Sequence, residues 1–245
     1  MAIEKFRLVM HSAKMIAPKV RHISFVREDQ KSLDYIPGQF ITFMLPVDEG
    51  KIKRRSYSIA SVIGKDDTID IAVSYVEGGV ASEQLFNLKK GDTLDAMGPA
   101  GRLTLSDNPV KRYILVGTGT GIAPYRSMLP SLAKVMSEHD TEVVILLGAQ
   151  YRQDCLYKED FLAFAEQHKK ATFVTCLSRE DLDPPEDFEH TGYVQSYFDE
   201  LALNPSTDVV YLCGNPNMID SSYETLVELE FDNKSVRREK YISSN

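Results

Sequence analysis

With 245 residues, 43% of them hydrophobic and 26% charged, the chain has ordinary globular composition and the length for two modest domains. Its three cysteines, Cys155, Cys176 and Cys213, form no CxxC pair, suit a reducing cytoplasm and are too few for a four-thiolate iron–sulfur cluster. The net charge of −8 is uneven: residues 1–106 hold 15 Lys and Arg against 13 Asp and Glu, and residues 107–245 hold 13 against 23, which argues against nucleic acid.

Met1 to Arg21 mixes charge through its apolar residues, as neither a signal peptide nor a membrane span does, and no later run approaches the roughly 18 apolar residues that a span needs. Lys14, Lys19, Arg21, Lys51, Lys53 and Arg54 form either a solvated surface or a field that steers an acidic protein partner. Ile41, Phe43 and Leu45 alternate, and Ile69, Ile71, Val73 and Tyr75 alternate more strictly, as half-buried strands require. Turn signals separate such runs at Pro37-Gly38, Asp48-Glu49-Gly50, Gly64-Lys65-Asp66-Asp67, Gly78-Gly79 and Gly98-Pro99. This rhythm predicts an N-terminal antiparallel β-barrel.

Within it stands Arg55-Ser56-Tyr57-Ser58. At strand spacing Arg55 and Tyr57 share one face, and Ser56 and Ser58 the other. A guanidinium beside a phenol ring either serves a ligand that joins a diphosphate to a flat ring or is a surface Arg next to a half-buried strand Tyr. Downstream, the two glycines of Gly78-Gly79-Val80-Ala81-Ser82 allow backbone N–H groups to approach a diphosphate, and Ser82 is placed to start a helix whose N-terminus favours anions.

The pattern changes at Asp107-Asn108-Pro109, so the boundary is expected within 105–111, dividing the chain into 1–106 and 107–245. Continuous apolar runs follow at Tyr113–Val116, Val143–Leu147, Thr172–Leu177 and Val209–Cys213, as in parallel strands buried on both faces. Helical periods lie between them: Met128, Leu129, Leu132, Val135, Met136; then Phe161, Phe164, Ala165, His168; then Val194, Tyr197, Phe198, Leu201. The alternation predicts a C-terminal doubly wound α/β parallel sheet.

The first of those strands runs into Gly117-Thr118-Gly119-Thr120-Gly121-Ile122-Ala123-Pro124. Its alternating glycines permit a tight strand-to-helix turn near a diphosphate, and Pro124 suits a first helical turn. Cys213-Gly214-Asn215-Pro216 follows another buried strand and precedes a helix with Ile219, Tyr223, Leu226 and Val227 on one face. Cys213 is either a small core hydrophobe or a ligand contact. No acidic residue follows the second strand, where Gly148-Ala149-Gln150 sits, so the usual signal for the NAD ribose is missing there. Arg152 is either a phosphate-binding cation or a solvated charge at a helix start.

Taken in order, Pro37-Gly38-Gln39-Phe40, Arg55-Ser56-Tyr57-Ser58, Gly78 to Ser82, Gly117 to Pro124 and Cys213 to Pro216 resemble the motifs of the ferredoxin–NADP reductase family. The resemblance spans most of the chain. It implies an FAD-binding barrel in 1–106 and an NADP-binding domain in 107–245. Tyr57 would stack on the isoalloxazine, Arg55 would hold the diphosphate together with Gly79, Val80, Ala81 and Ser82, and the Ser58 hydroxyl, next to Ser56, would lie near flavin N5. Gly117, Thr118, Gly119, Thr120, Gly121, Pro124 and Gly214 would cradle NADP, with Cys213 beside nicotinamide C4. Ser178, Arg179 and Tyr193 would take the 2′-phosphate and adenosine. Glu239-x-Tyr241 is similar to the family's terminus, where the Glu orients the site and the aromatic covers the flavin. Four residues follow Tyr241 here, so it either covers the flavin or sits in a plain edge strand. The implied chemistry is hydride transfer between NADPH and FAD, with single electrons exchanged with ferredoxin or flavodoxin. A monomer without a metal is expected. A flavin-releasing NAD(P)H reductase, an oxygenase's reductase component and a regulatory nucleotide-binding module are the other readings.

Overall fold

In a computed structural model, strands β1 (Glu4–Ala17), β2 (Val20–Arg27), β3 (Phe40–Pro46), β4 (Ile52–Ser58), β5 (Ile69–Ser74) and β6 (Thr93–Ala100) pair antiparallel in the order β4-β3-β6-β1-β2-β5. The structure describes residues 3–47, 50–65, 67–106, 108 and 110–241; the predicted turns at Asp48-Glu49 and Asp66, and Asp107 and Pro109 of the boundary segment, lie outside these. Just past β4, the Ala60 N–H donates to the Asp70 carbonyl on β5 (2.8 Å), joining the two ends of the strand order and closing the barrel. Phe6, Leu8, Met10, Ile23, Phe25, Ile41, Phe43, Leu45, Ile69, Ile71 and Val73 fill its core.

The alternation expected of β5 holds for its inward residues only. Asp70 and Ala72, on the other face, are also buried, and Tyr75 lies beyond the strand, 40% exposed, edge-on to Phe86 at 5.2 Å. Asp70 is met on that face by Arg126, which belongs to the same compact unit. Between β5 and β6 runs helix α1 (Val80–Asn87), whose Leu85 enters the barrel core. Arg21 donates to the carbonyls of Leu85 (3.0 Å), Phe86 (2.5 Å) and Leu88 (3.0 Å), and so serves the orphan acceptors at the end of α1.

The second unit holds 106–122 and the described residues from Leu129 onward. Its strands β7 (Arg112–Thr118), β8 (Glu142–Ala149), β9 (Ala171–Leu177), β10 (Glu189–Thr191), β11 (Asp208–Gly214) and β12 (Val236–Lys240) are all parallel, in the order β10-β9-β8-β7-β11-β12. Helices α2 (Ala123–Glu138), α3 (Lys158–Gln167), α4 (Phe198–Leu201) and α5 (Pro216–Glu228) connect them. Ile114, Val116, Leu146, Val210 and Leu212 pack with Phe198 of α4 and Ile219 and Leu226 of α5. On the opposite side of β9, Phe173 stacks on Phe161 of α3 at 5.4 Å. Helices therefore cover both faces, and the chain reverses its direction of travel across the sheet at β7. Two helical expectations are refined. The period over 194–201 folds as a 3-10 turn, Val194–Tyr197, followed by a single turn of α4, and Val227 is 50% exposed, off the buried face of α5.

Candidate functional site

The first unit brings two sequence motifs into register. Arg55, Ser56, Tyr57 and Ser58 on β4 pair with Phe43, Thr42, Ile41 and Phe40 on β3, immediately after the Pro37-Gly38-Gln39 turn. Tyr57 packs edge-on to Phe43 at 5.9 Å, and burial pushes its hydroxyl pKa up to about 12 while the charge of Arg55 pulls the other way. The two serines part company. Ser56 is exposed and hydrogen-bonded to the Thr42 hydroxyl (2.9 Å), whereas Ser58 is buried where the strand turns into the barrel seam.

At α1 the structure corrects the expectation for Ser82. The helix starts at Val80, with Gly79 as its N-cap, and Ser82 is the third helical residue. Its buried hydroxyl is occupied by the turn itself, bonded to the Gly79 carbonyl (2.9 Å), the Val76 carbonyl (3.0 Å) and the Val76 N–H (3.1 Å). A Cβ on Gly79 would meet Ser82 Oγ at 2.8 Å and the Val76 oxygen at 2.9 Å, so this tight turn requires glycine. No side chain caps the helix, and the first-turn N–H groups of Val80 and Ala81 suit a phosphate.

In the second unit two glycine turns interlock. Gly117 and Thr118 end β7, and Gly119-Thr120-Gly121 opens a 3-10 turn; Pro124, in the first turn of α2, belongs to the first unit. A Cβ on Gly121 would meet Gly214 Cα at 2.6 Å and overlap the Cys213 carbonyl; one on Gly214, at φ +122°, would meet the Thr118 carbonyl and hydroxyl, each at 2.6 Å. The Thr118 hydroxyl accepts the Asn215 N–H (3.0 Å), and the Asn215 side chain caps α5 by accepting from Asn217 (2.8 Å) and Met218 (3.4 Å). Side chains are thus excluded where the C-terminal ends of β7 and β11 meet, at the switch point where open α/β sheets bind ligands.

Cys213 is wholly buried. Desolvation pushes its thiol well above the usual value, the carboxylate of Glu239 pushes the same way, and a hydrogen bond with the Tyr241 side chain pulls back. Glu239 is its register partner on β12, and the Tyr241 N–H continues that ladder to the Gly214 carbonyl (2.8 Å). Tyr241 lies one residue past the end of β12; residues 242–245, which follow it, lie outside the described residues.

The Ser178 N–H donates to the Ala149 carbonyl and the Arg179 N–H to that of Gln150 (both 3.0 Å), which brings Ser178-Arg179 to the tip of the second strand, β8. Arg179 is exposed, and Tyr193, just past β10, is 71% exposed. Arg152 stands at a helix start, as one of its readings had it, opening the 3-10 turn Arg152–Asp154, but its charge is paired as well as part-solvated. Glu189 grips its guanidinium with both carboxylate oxygens (2.7 Å each), the Pro184 carbonyl takes a further bond (2.9 Å), and Glu180 accepts its backbone N–H (2.7 Å). Arg152 in turn holds the Glu189 carboxyl below its usual range. An acidic residue, Glu180, thus reaches the β8 tip from the neighbouring strand, through space rather than in sequence.

Sequence reasoning passed over Arg126 and Asp70, a buried pair in the first unit. A single Asp inside an otherwise apolar strand was the available signal. Among the described residues, no group of three or more His, Cys, Asp or Glu is arranged to hold a metal, and no helix is long and apolar enough to cross a membrane.

Comparison with known proteins matches two segments of the chain. Residues 7–105 match the family model of the oxidoreductase FAD-binding domain, and residues 115–224 that of the oxidoreductase NAD-binding domain. The chain is 34% identical over 245 residues to Ferredoxin--NADP reductase B of Sorangium cellulosum, covering 97% of this chain and 98% of that protein. It is 27% identical over 218 residues to the toluate 1,2-dioxygenase electron transfer component of Pseudomonas putida, covering 88% of this chain but 61% of that longer protein. Among solved structures, an Amycolatopsis cytochrome P450 reductase superimposes with a TM-score of 0.85 at 25% identity, covering 99% and 71% of the two chains. A ferredoxin NADP+ reductase from Neisseria gonorrhoeae with bound FAD and NADP does so at 0.79 and 20% identity, covering 98% and 99%.

Proposed function

The chain belongs to the ferredoxin–NADP reductase family, with its paired FAD-binding and NAD-binding oxidoreductase domains, and on that premise we propose that it carries electrons between NADPH and ferredoxin or flavodoxin through bound FAD. Residues 1–106 hold the flavin and residues 107–245 the nicotinamide nucleotide, in a cytoplasmic monomer whose cysteines stay free thiols. FAD, when bound, supplies hydride exchange with a nicotinamide and the passage of electrons one at a time.

The protein's own residues bind and orient. Tyr57 offers a ring to the flavin, and Arg55 and the uncapped start of α1, from Gly79 to Ala81, offer charge and N–H groups to the diphosphate; Ser82 shapes that turn. Ser58 presents a hydroxyl at the reacting edge of the flavin, beside the exposed Ser56. The interlocked Gly117–Gly121 and Gly214 turns, with Pro124, admit the second diphosphate. Ser178 and Arg179 read the 2′-phosphate, and Tyr193 stacks on the adenosine. Cys213, with Glu239 and Tyr241 against it, sets the nicotinamide ring. Water exclusion and orientation matter here more than acid–base catalysis.

The observation that supports this reading best is the glycine-only crossing of the β7 and β11 turns beside Cys213. A second reading, the reductase component of an oxygenase, is supported by the toluate dioxygenase relative and by the P450 reductase of similar fold. The test is the visible spectrum of the purified protein, followed anaerobically as NADPH or NADH is added. A bound yellow chromophore bleached faster by NADPH is expected. A colourless protein would point instead to a reductase that releases its flavin, and a chromophore that neither nucleotide bleaches would end the proposal.

A further inference from the structure

Arg126 is buried, as is the residue that answers its charge, Asp70 on β5. A guanidinium is seldom placed out of water without several acceptors arranged for it. Here its Nη1 donates to the Ala60 carbonyl at 2.6 Å and stands 3.9 Å from Asp70 Oδ2. Asp70 is held in turn. The Thr68 hydroxyl donates to its Oδ1 (2.9 Å), its N–H donates to Ser61 Oγ (2.6 Å), and His22 Nε2 stands 3.6 Å from its Oδ2. The next residue, Ser127, accepts the Gly38 N–H at 3.1 Å and donates to the Pro124 carbonyl at 2.7 Å.

Consecutive residues of α2 therefore grip two segments of the barrel. Those segments are also tied to each other, since the Ile59 N–H donates to the Gln39 carbonyl (3.0 Å). Ser58 lies within this frame. It pairs with Phe40 on one side and leads into Ile59-Ala60 on the other. The strand end is thus held toward β3 by its ladder and, two residues on, by Arg126 at the Ala60 carbonyl. All of these residues fall in the first compact unit.

We infer that Arg126 is a positioning residue for flavin reduction: braced by Asp70, it fixes the Ser58–Ala60 backbone and thereby the Ser58 hydroxyl. Ser127 does the same for the facing turn through Gly38. The inference rests on the reading of Ser58 given above. Lys could replace the charge but not the planar guanidinium that bonds the Ala60 carbonyl while it faces Asp70.

The test is anaerobic rapid mixing of NADPH with the FAD-loaded protein, comparing the parent with Arg126→Gln, Arg126→Lys, Ser58→Ala and the Ser58→Ala/Arg126→Gln double variant. Arg126→Gln is expected to slow flavin reduction roughly tenfold to a hundredfold, as a displaced reacting group would, with the half-saturating NADPH concentration unchanged. Arg126→Lys should recover part of the rate. The double variant should be no slower than Ser58→Ala alone, because both changes act through one hydroxyl. Reduction of Arg126→Gln at the parent rate would overturn the inference, and so would a loss that adds in full to that of Ser58→Ala. Should Arg126→Gln fail to fold or to keep FAD, Ser127→Ala takes its place: slowing absent from the Ser58→Ala background supports the inference, and an unchanged rate overturns it. A parent protein that NADPH cannot bleach would remove the flavin reading first, before any variant is compared.

Discussion

Ser58 and Cys213 carry different risks. Ser58 is a neutral hydroxyl whose value lies in its direction, so Ser58→Ala should slow flavin reduction about tenfold or more while the FAD content stays that of the parent; stopped-flow rates equal to the parent's would refute the role. Cys213 is a poor nucleophile, because burial and the neighbouring Glu239 keep its thiol protonated. Iodoacetamide at pH 8 should leave it unlabelled in the folded protein and label it after denaturation, as read by peptide mass spectrometry. Burial also pushes the Cys155 and Cys176 thiols from 9.0, and the Tyr35 and Tyr57 hydroxyls from 10.0, each up to about 12. These groups release protons earlier in the unfolded chain than in the native one. Their contribution to stability is therefore intact below about pH 9 and is lost as pH climbs toward 12. Melting temperatures that stay level from pH 8 to 11 would contradict this.

At the scale of elements, the glycine crossing gives the sharpest contrast. Gly121→Ala drives a Cβ into the Cys213–Gly214 backbone, whereas at Gly119, φ +52°, a Cβ meets nothing within 4 Å. Gly121→Ala should cost about 1–3 kcal/mol, as overpacking does, and Gly119→Ala about 1–2 kcal/mol for its left-handed backbone alone. Denaturant melts without and with NADPH read stability and nucleotide binding separately; Gly121→Ala should loosen binding because it forces the two turns apart, and a variant that keeps the parent's affinity would remove the crossing from the site. The same elements show what the sequence makes legible. The glycine spacing, the Asn215-Pro216 helix start and the continuous runs of β7 and β11 could be read because each is a local pattern with a local cause. Asp70 looked outward because alternation cannot reveal Arg126, which meets it from far along the chain. Ser82 read as a helix start because its spacing is right, yet its hydroxyl closes the preceding turn and the helix begins two residues earlier. The contacts of Arg152 with Glu180 and Glu189 were not legible either, since they depend on parallel strands that lie adjacent only after folding.

For the whole molecule, the distribution of charge is the property that bears on its partner. The excess of acid lies in residues 107–245, and residues 1–106 are slightly basic. The structure trims the basic set proposed to steer a partner, because Arg21 is spent on the carbonyls that end α1. Lys14, Lys19, Lys51 and Arg54 are exposed. An acidic acceptor such as the proposed ferredoxin or flavodoxin would be drawn to these through a field that extends about 10 Å at 0.1 M salt and about 3 Å at 1 M. The second-order rate of acceptor reduction should therefore fall roughly tenfold or more across that range of salt. Lys51→Glu/Arg54→Glu should flatten the salt dependence while leaving the protein as stable as its parent. Arg21→Gln should act in the opposite sense, lowering the melting temperature through loss of the α1 cap with little change in the salt slope. Stopped-flow reduction of the acceptor at several ionic strengths reads both. A parent rate that is indifferent to salt, or that rises with it, would mean that the acceptor meets an apolar or acidic face, and the basic residues of the barrel would then be ordinary solvated surface.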